Sequence, residues 1–306
     1  MQKVLLLGGC GYIGSRVYKH LKEKGINTTS VDLEIFGNPE VANTKKNFKN
    51  LTKEYLSKFS DIILLAGHSS VKMCESNLIG CFRNNVQYFV DLITKISENQ
   101  KFIYASSSSV YGNVNRNIVS EDCQEYVAGS FYDLSKAEID HYIRIFDEIN
   151  YYGLRFGTVN GYSPNIRNDI MINAMFYSAK ISQEVTISNP MIRRPILDIK
   201  DLCRAMESII ENGDFNKRGV YNLASFNSNV ETIGRKTAEI LGAKIKIVDS
   251  QRSVSKVYDF AISCDKFCNV FGFKFLGFPE SITQDLKENF SQAKLVSNRN
   301  IPNIII

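Results

Sequence analysis

The residues best equipped for chemistry are a phenol and an amine, Tyr132 and Lys136, spaced i, i+4 in the stretch Tyr132-Asp133-Leu134-Ser135-Lys136. On a helix that spacing puts both side chains on one face, so the ammonium stands beside the phenol and favours its phenolate. Tyrosine titrates near ~10 when unperturbed, and a general base works best when its pKa lies near the operating pH. A neighbouring lysine is therefore a physical route to a tyrosine that takes a hydroxyl proton. The run Ser106-Ser107-Ser108-Ser109, ahead of Val110-Tyr111-Gly112, offers a hydroxyl to hold the same oxygen. Either pattern alone carries little weight, because Tyr-x-x-x-Lys arises by chance in helices and a serine run also makes a polar turn.

A second group of residues binds rather than reacts. Gly8-Gly9-Cys10-Gly11-Tyr12-Ile13-Gly14 follows an apolar run directly and opens a helical pattern, the context in which spaced glycines have a mechanical meaning. Gly8 permits a tight turn, Gly11 lets the backbone approach a pyrophosphate, and Gly14 allows close helix–strand packing. The helix N-terminus beyond them, with Tyr12 and Ile13 in its first turn, offers unpaired N–H groups and a positive dipole end to an anion. Asp32 stands 18 residues after Gly14, at the end of the next apolar run. There a carboxylate accepts both hydroxyls of an adenosine ribose and repels a 2′-phosphate. This reads as NAD rather than NADP, since Leu33 and Glu34 add no positive charge.

Something must hold these groups together, and the apolar pattern supplies it. Runs at Lys3–Leu7, Asn27–Val31, Asp61–Ala66, Lys101–Ala105 and Tyr151–Phe156 alternate with helical patterns at Tyr12–Lys24, Ile79–Ser97 and Tyr132–Ile149. Such alternation predicts βαβ units and a parallel sheet buried on both faces. The expected architecture is α/β, a Rossmann-type doubly wound parallel sheet over residues 1–157, with a smaller mixed C-terminal substrate lobe over 158–306. Some segments of that lobe are expected to return to the first domain. The prolines of the lobe break it into shorter elements, with helices expected near Ile170–Lys180, Lys200–Glu211, Glu231–Leu241 and Pro279–Gln292. A chain of 306 residues with 44% hydrophobic and 23% charged residues has ordinary globular composition.

Several classes are set aside by the same reading. No apolar run approaches the roughly 20 residues that span a bilayer, and Lys3 is followed by too short a run for a secretory h-region, so the expected location is the cytoplasm. The net charge of +5 is spread without a dense basic block, which argues against nucleic acid and for no more than a small anionic ligand. Seven cysteines include no Cys-x-x-Cys pair, and all seven are read as reduced thiols with no metal site. His20, His68 and His141 lack metal-like spacing.

Taken together, GGCGYIG at 8–14, DIILLAG at 61–67, NNV at 84–86, SSSSVYG at 106–112, YDLSK at 132–136, LRFGTVNGYSP at 154–164 and RRPILDIKD at 193–201 resemble the extended short-chain dehydrogenases/reductases, specifically the nucleotide-sugar epimerases and dehydratases, over about residues 1–290. The resemblance implies Tyr132 as catalytic base, Lys136 as its partner and a ligand of the nicotinamide ribose, and Ser107 as the catalytic hydroxyl. It places Leu65, Ala66, Gly67 and Asn84 at the cofactor. Ser108, Thr158, Asn173, Arg194 and Arg252 fall where the family contacts a nucleotide sugar, the arginines matching diphosphate oxygens by their planar fork. A homodimer is also implied, through the segments Asn84–Ser97 and Tyr132–Ile149, with Phe89, Leu92, Ile93, Ile96, Ile139, Ile143 and Phe146 as apolar contacts.

Departures narrow the chemistry. Family members that eliminate water follow the catalytic hydroxyl with an Asp-Glu pair, whereas Ser108 and Ser109 stand here, so dehydration loses its acid and base. Asp198 replaces a histidine in the last motif, and Leu64 replaces another in the strand before Gly67. What the resemblance then implies is oxidation of a sugar C4 hydroxyl by NAD, in bacterial surface or capsular polysaccharide biosynthesis. The similarity runs furthest toward enzymes acting on GDP-heptose as 4-dehydrogenases, with an NDP-hexose 4-epimerase as the alternative and a non-catalytic dinucleotide sensor as a rival of another class.

Overall fold

The computed structural model describes residues 2–112, 114, 118–123, 125–248 and 258–296. Its strands in chain order are β1 (Lys3–Leu7), β2 (Asn27–Asp32), β3 (Asn43–Lys45), β4 (Asp61–Leu64), β5 (Lys101–Ser107), β6 (Asn150–Phe156) and β7 (Thr158–Asn160), then β8 (Asn165–Arg167), β9 (Glu184–Ser188), β10 (Arg193–Asp198), β11 (Gly219–Leu223), β12 (Phe226–Asn229), β13 (Lys244–Val248) and β14 (Lys294–Val296). The helices are α1 (Tyr12–Glu23), α2 (Lys53–Leu56), α3 (Val71–Ser76), α4 (Leu78–Phe82), α5 (Tyr88–Ile93) and α6 (Phe131–Ile145), followed by α7 (Met171–Ser182), α8 (Ile199–Asn212), α9 (Val230–Leu241), α10 (Asp265–Phe271) and α11 (Pro279–Asn289).

Seven strands form one parallel sheet in the order β11-β6-β5-β4-β1-β2-β3, the doubly wound arrangement expected from the alternating pattern. Period-2 geometry sends successive side chains to opposite faces. Val4, Leu6, Ile63 and Ile103 accordingly join one apolar cluster, and Leu5, Leu7, Ile62 and Phe102 the other. Both faces are dry, so each fully buried Leu or Ile contributes roughly 1.5–3 kcal/mol relative to exposure. The outer strand β11 comes from beyond residue 157 and pairs with β6 from Gly219↔Tyr152 to Leu223↔Phe156, so the chain returns to the first sheet after building part of the second lobe. Among the described residues, that lobe holds three small sheets, β12-β10-β7, β13-β9 and β14-β8.

Three expectations need correction. The continuous helix expected over Ile79–Ser97 is interrupted by a π-turn at Arg83–Gln87 between α4 and α5. The extra residue per turn lets Asn84, Asn85 and Val86 all turn inward and become buried, a departure common at functional sites. Cys74 and Cys81 are joined as a disulfide with Cα atoms 5.0 Å apart, and are not free thiols; the bridge links α3 to α4, whose approach no local sequence signal announced. Phe89, Leu92, Ile93, Ile96, Ile139 and Ile143 are all at most 8% exposed and, with Phe146, pack in the cluster on one face of this chain's own sheet, so they do not form an outward apolar surface. Among the described residues no helix is long and apolar enough to cross a membrane.

Candidate active site

A cavity of about 370 Å³ opens over the C-terminal ends of β1, β2, β4 and β5, where ligands bind in open α/β sheets. Gly8, Gly11, Tyr12, Ile13 and Gly14 line one wall and Asp32 another. The turn is packed closely at Gly8, Gly9 and Gly14. A Cβ on Gly14 would lie 1.9 Å from the Gly8 carbonyl oxygen, and one on Gly8, which has φ +97°, would lie 2.5 Å from Ala66 N. Gly11 differs, because a Cβ there meets only Gly8 O at 3.5 Å; the chain leaves this space open. Helix α1 has Gly11 at its N-cap, with no capping side chain and no acidic residue in its first turn, leaving N–H groups for an anion. Asp32 accepts from Cys10 N at 3.1 Å and Glu34 N at 2.6 Å, which aims its carboxylate at the cavity; burial is the main influence on it, raising its pKa. An open cradle, free helix N–H groups and an oriented carboxylate fit an adenine dinucleotide diphosphate.

Opposite stand the reactive groups. Ser107 ends β5, and Ser107, Ser108, Tyr132 and Lys136 all line the cavity. Ser130 caps α6 by accepting from Asp133 N, and the helix then presents Tyr132 and Lys136 one turn apart. The Lys136 ammonium donates to the Ala105 carbonyl at 2.7 Å and lies 5.9 Å from the centroid of the Tyr132 ring. Its burial lowers its pKa to about 8, although Asp140 opposes the shift. Burial raises the Tyr132 pKa, and a hydrogen bond with the Ser107 hydroxyl holds it back while Asp133 pushes it further up. Ser107 Oγ in turn accepts from Ser109 N at 3.2 Å and lies 2.7 Å from Ser109 Oγ. A phenol, an ammonium and a hydroxyl converging on one space can remove a proton from a substrate hydroxyl while holding its oxygen.

Leu65, Ala66, Gly67 and Asn84 form the floor of the same cavity, and Thr158 and Arg194 lie on the side of the second lobe. Asn173 is not brought to it. Its side chain accepts from Gly161 N at 2.9 Å and donates to Arg167 O at 2.9 Å, and to the Tyr12 hydroxyl at 3.3 Å. Buried inside the lobe, it ties the lobe to the glycine turn. Arg252 lies outside the described residues. Arg194 borders a second cavity of about 330 Å³, lined also by Asp169, Ser178, Thr186, Ser188 and Asn189.

Two site residues were not assigned from the sequence. His68 lines the cavity and is 6% exposed; its Nδ1 lies 3.2 Å from the Asn84 side-chain amide nitrogen, and burial lowers its pKa. Asn85 accepts from His68 N at 2.8 Å, donates to His68 O at 3.1 Å and to the Ser135 hydroxyl at 3.0 Å. It pins the loop after β4 to the Tyr132 helix. The side-by-side asparagines were visible in the sequence, but only the π-turn points both inward.

Residues 4–224 match the NAD dependent epimerase/dehydratase family. The chain belongs to that family. Its cofactor is NAD. Among similar proteins, the ADP-L-glycero-D-manno-heptose-6-epimerase of Brachyspira hyodysenteriae is 26% identical over 251 residues, covering 74% of this chain and 76% of the relative. The dTDP-glucose 4,6-dehydratase of Neisseria meningitidis is 24% identical over 268 residues, covering 76% and 74%. Among solved structures, MoeE5 in complex with UDP-glucose and NAD superposes with a TM-score of 0.81 at 23% identity over 95% of this chain and 99% of that one. The UDP-glucose-4-epimerase of Stenotrophomonas maltophila, with bound NAD and formylated UDP-arabinopyranose, gives 0.82 at 16% identity, covering 96% and 100%. At these identities the structures share the fold. This family member is an NAD-dependent enzyme of the nucleotide-sugar epimerase/dehydratase class.

Proposed function

We propose that the protein oxidises the C4 hydroxyl of a nucleotide-activated sugar, a GDP-heptose, to the 4-keto sugar in the biosynthesis of a bacterial surface or capsular polysaccharide. The observation that carries the reading is the convergence of Ser107, Tyr132 and Lys136 on the cavity that also contains the glycine turn and Asp32. Bound NAD supplies the hydride acceptor. Tyr132 takes the hydroxyl proton, Ser107 holds the same oxygen, and Lys136 keeps the phenolate favourable by its charge; fixing the carbinol in this geometry supplies much of the rate. Arg194 borders both cavities, which supports assigning it to the diphosphate, with the nucleoside end in the smaller one and Thr158 and Ser108 toward the sugar. The heptose in the name of one relative supports the sugar assigned, and Ser108 and Ser109 in place of an acid–base pair argue against elimination.

The competing outcome within the class is a 4-epimerase, which differs only in returning the hydride to the other face of the ketone. The test incubates the purified protein with GDP-, UDP-, dTDP- and CDP-sugars, GDP-heptose included, following sugar-nucleotide mass and the absorbance of reduced nicotinamide. A product lighter by two hydrogens with reduced cofactor accumulating is expected. Unchanged mass with altered chromatography makes the enzyme an epimerase, and loss of water overturns the reading of Ser108 and Ser109. Tyr132→Phe separates enzyme from sensor: NAD binding survives, and turnover falls by at least about 10²-fold, the usual scale of a lost general base.

We further propose a homodimer built on α4 and α6, whose outward residues differ from those expected. Ile79 is 68% and Ile145 76% exposed, with Phe82, Leu134 and Tyr142 also open.

A further inference from the structure

We propose that Asp140 is the positioning residue of the catalytic centre, its buried carboxylate tying the end of β5 that carries Ser107 to the face of α6 that carries Tyr132 and Lys136. The inference rests on the catalytic reading of those three residues. Asp140 lies four residues past Lys136 and eight past Tyr132, on the same side of the helix. Its Oδ1 accepts from the Tyr104 hydroxyl at 2.9 Å, and its Oδ2 from the Ser106 hydroxyl at 3.0 Å and from Arg155 Nε at 2.7 Å. Tyr104 and Ser106 flank Ala105, whose carbonyl receives the Lys136 ammonium, and Ser106 immediately precedes Ser107. One carboxylate therefore sets the height of the strand end against the helix from two adjacent inward-facing positions.

The surroundings show how the charge is held. Arg155 on β6 is fully buried and donates to the Tyr111 and Tyr126 hydroxyls, each at 2.8 Å; the Tyr111 hydroxyl in turn donates to Asn222 Oδ1 at 2.9 Å. The groups facing Asp140 are thus Arg155 and Tyr104 from the sheet, Tyr151 beside them, and Lys136 on its own helix. Burial works against the Arg155 charge, but the Asp140 carboxylate and the two tyrosines outweigh it. A pair this deep stabilises a core no better than apolar residues of the same volume. What it adds is direction, since every lone pair it uses fixes an angle between strand and helix.

The test compares Asp140→Asn, Ser106→Ala and Asp140→Glu with the parent as purified, NAD-loaded protein. Asp140→Asn is expected to lower kcat about 100-fold, the scale of a misplaced catalytic group, with the sugar KM and NAD affinity within about threefold. Its alkaline limb in kcat/KM moves down by about one pH unit, because Lys136 loses an anion and faces Arg155 alone. Ser106→Ala, which removes a hydrogen bond and no charge, lowers kcat about tenfold and leaves that limb in place. Asp140→Glu restores most of the rate. Parental kcat and pH profile in Asp140→Asn overturn the proposal, as does a fall in kcat, KM and NAD binding together with parental behaviour of Ser106→Ala. If Asp140→Asn does not fold, Ser106→Ala decides alone, and parental kcat there overturns it. If the parent turns over no nucleotide sugar, the functional reading fails separately; the proposal is then judged by ultraviolet phenolate titration of parent and Ser106→Ala, each minus its Tyr132→Phe counterpart. An upward shift of the Tyr132 titration supports it, and an unmoved titration overturns it.

Discussion

Lys136 is where the site's needs and the fold's needs diverge. The residue is 9% exposed, with its pKa brought to about 8 from 10.5, chiefly by burial. Between those values an unfolded chain keeps a proton that the folded one gives up, so stability rises with pH across that window, and the destabilisation is complete below about 8. Lys136→Met is expected to raise the melting temperature of the cofactor-free protein by a few degrees at pH 7. Turnover in the same variant falls at least about 10²-fold. Thermal unfolding at pH 7 and pH 10.5 checks the sign, since the gain must shrink toward the higher pH. Residue-level chemistry of this kind was legible in advance: the Tyr132–Lys136 spacing implied the ammonium beside the phenol, and the structure places it 5.9 Å from the ring centroid.

At the scale of elements, the glycine turn separates packing from binding. Gly14 has no room for a Cβ, with the Gly8 carbonyl oxygen 1.9 Å away, whereas Gly11 has room and no neighbour closer than 3.5 Å. Gly14→Ala is expected to destabilise the fold, read as a lowered melting temperature without ligand. Gly11→Ala is expected to keep the parental melting temperature and lose at least about tenfold in NAD affinity by titration calorimetry, because a methyl occupies space meant for the pyrophosphate. Equal loss of stability in both variants would show the turn to be structural throughout. The strand–turn–helix order was readable from period and glycine spacing. The π-turn was not, because a helix of ordinary pitch satisfies the same apolar pattern, and the bonds that Asn85 makes to His68 and Ser135 across the fold are invisible in it.

For the whole molecule, the second lobe is fastened to the cofactor turn by buried side chains. Ser15 meets Ser163 at 2.8 Å, Ser163 donates to Tyr12 O at 2.6 Å, and Asn165 donates to Cys10 O at 2.6 Å. Asn173 belongs to this seam, which is why its polarity and position resembled a ligand's while its bonds are all internal. The proposed dimer belongs to this scale too. Ile145→Asp is expected to convert the species seen by light scattering from dimer to monomer with the parental circular dichroism retained; a monomeric parent would remove the dimer altogether.

Local rules determined most of what the sequence could determine. Alternating apolar periods specified a parallel α/β sheet, spaced glycines with a distant carboxylate specified a turn shaped for a dinucleotide, and an i, i+4 spacing specified a phenol and an amine on one helix face, because each depends on residues near one another in the chain or on one repeating geometry. Tertiary structure decided the rest. Whether a polar side chain lines the cavity, as Arg194 does, or is tied up inside the lobe, as Asn173 is, depends on what sits across from it. The same holds for the Cys74–Cys81 bridge and for the Asp140–Arg155 pair, which lie 7 and 15 residues apart in the chain. Contacts between elements have no period to read, and they exist only once the elements have packed.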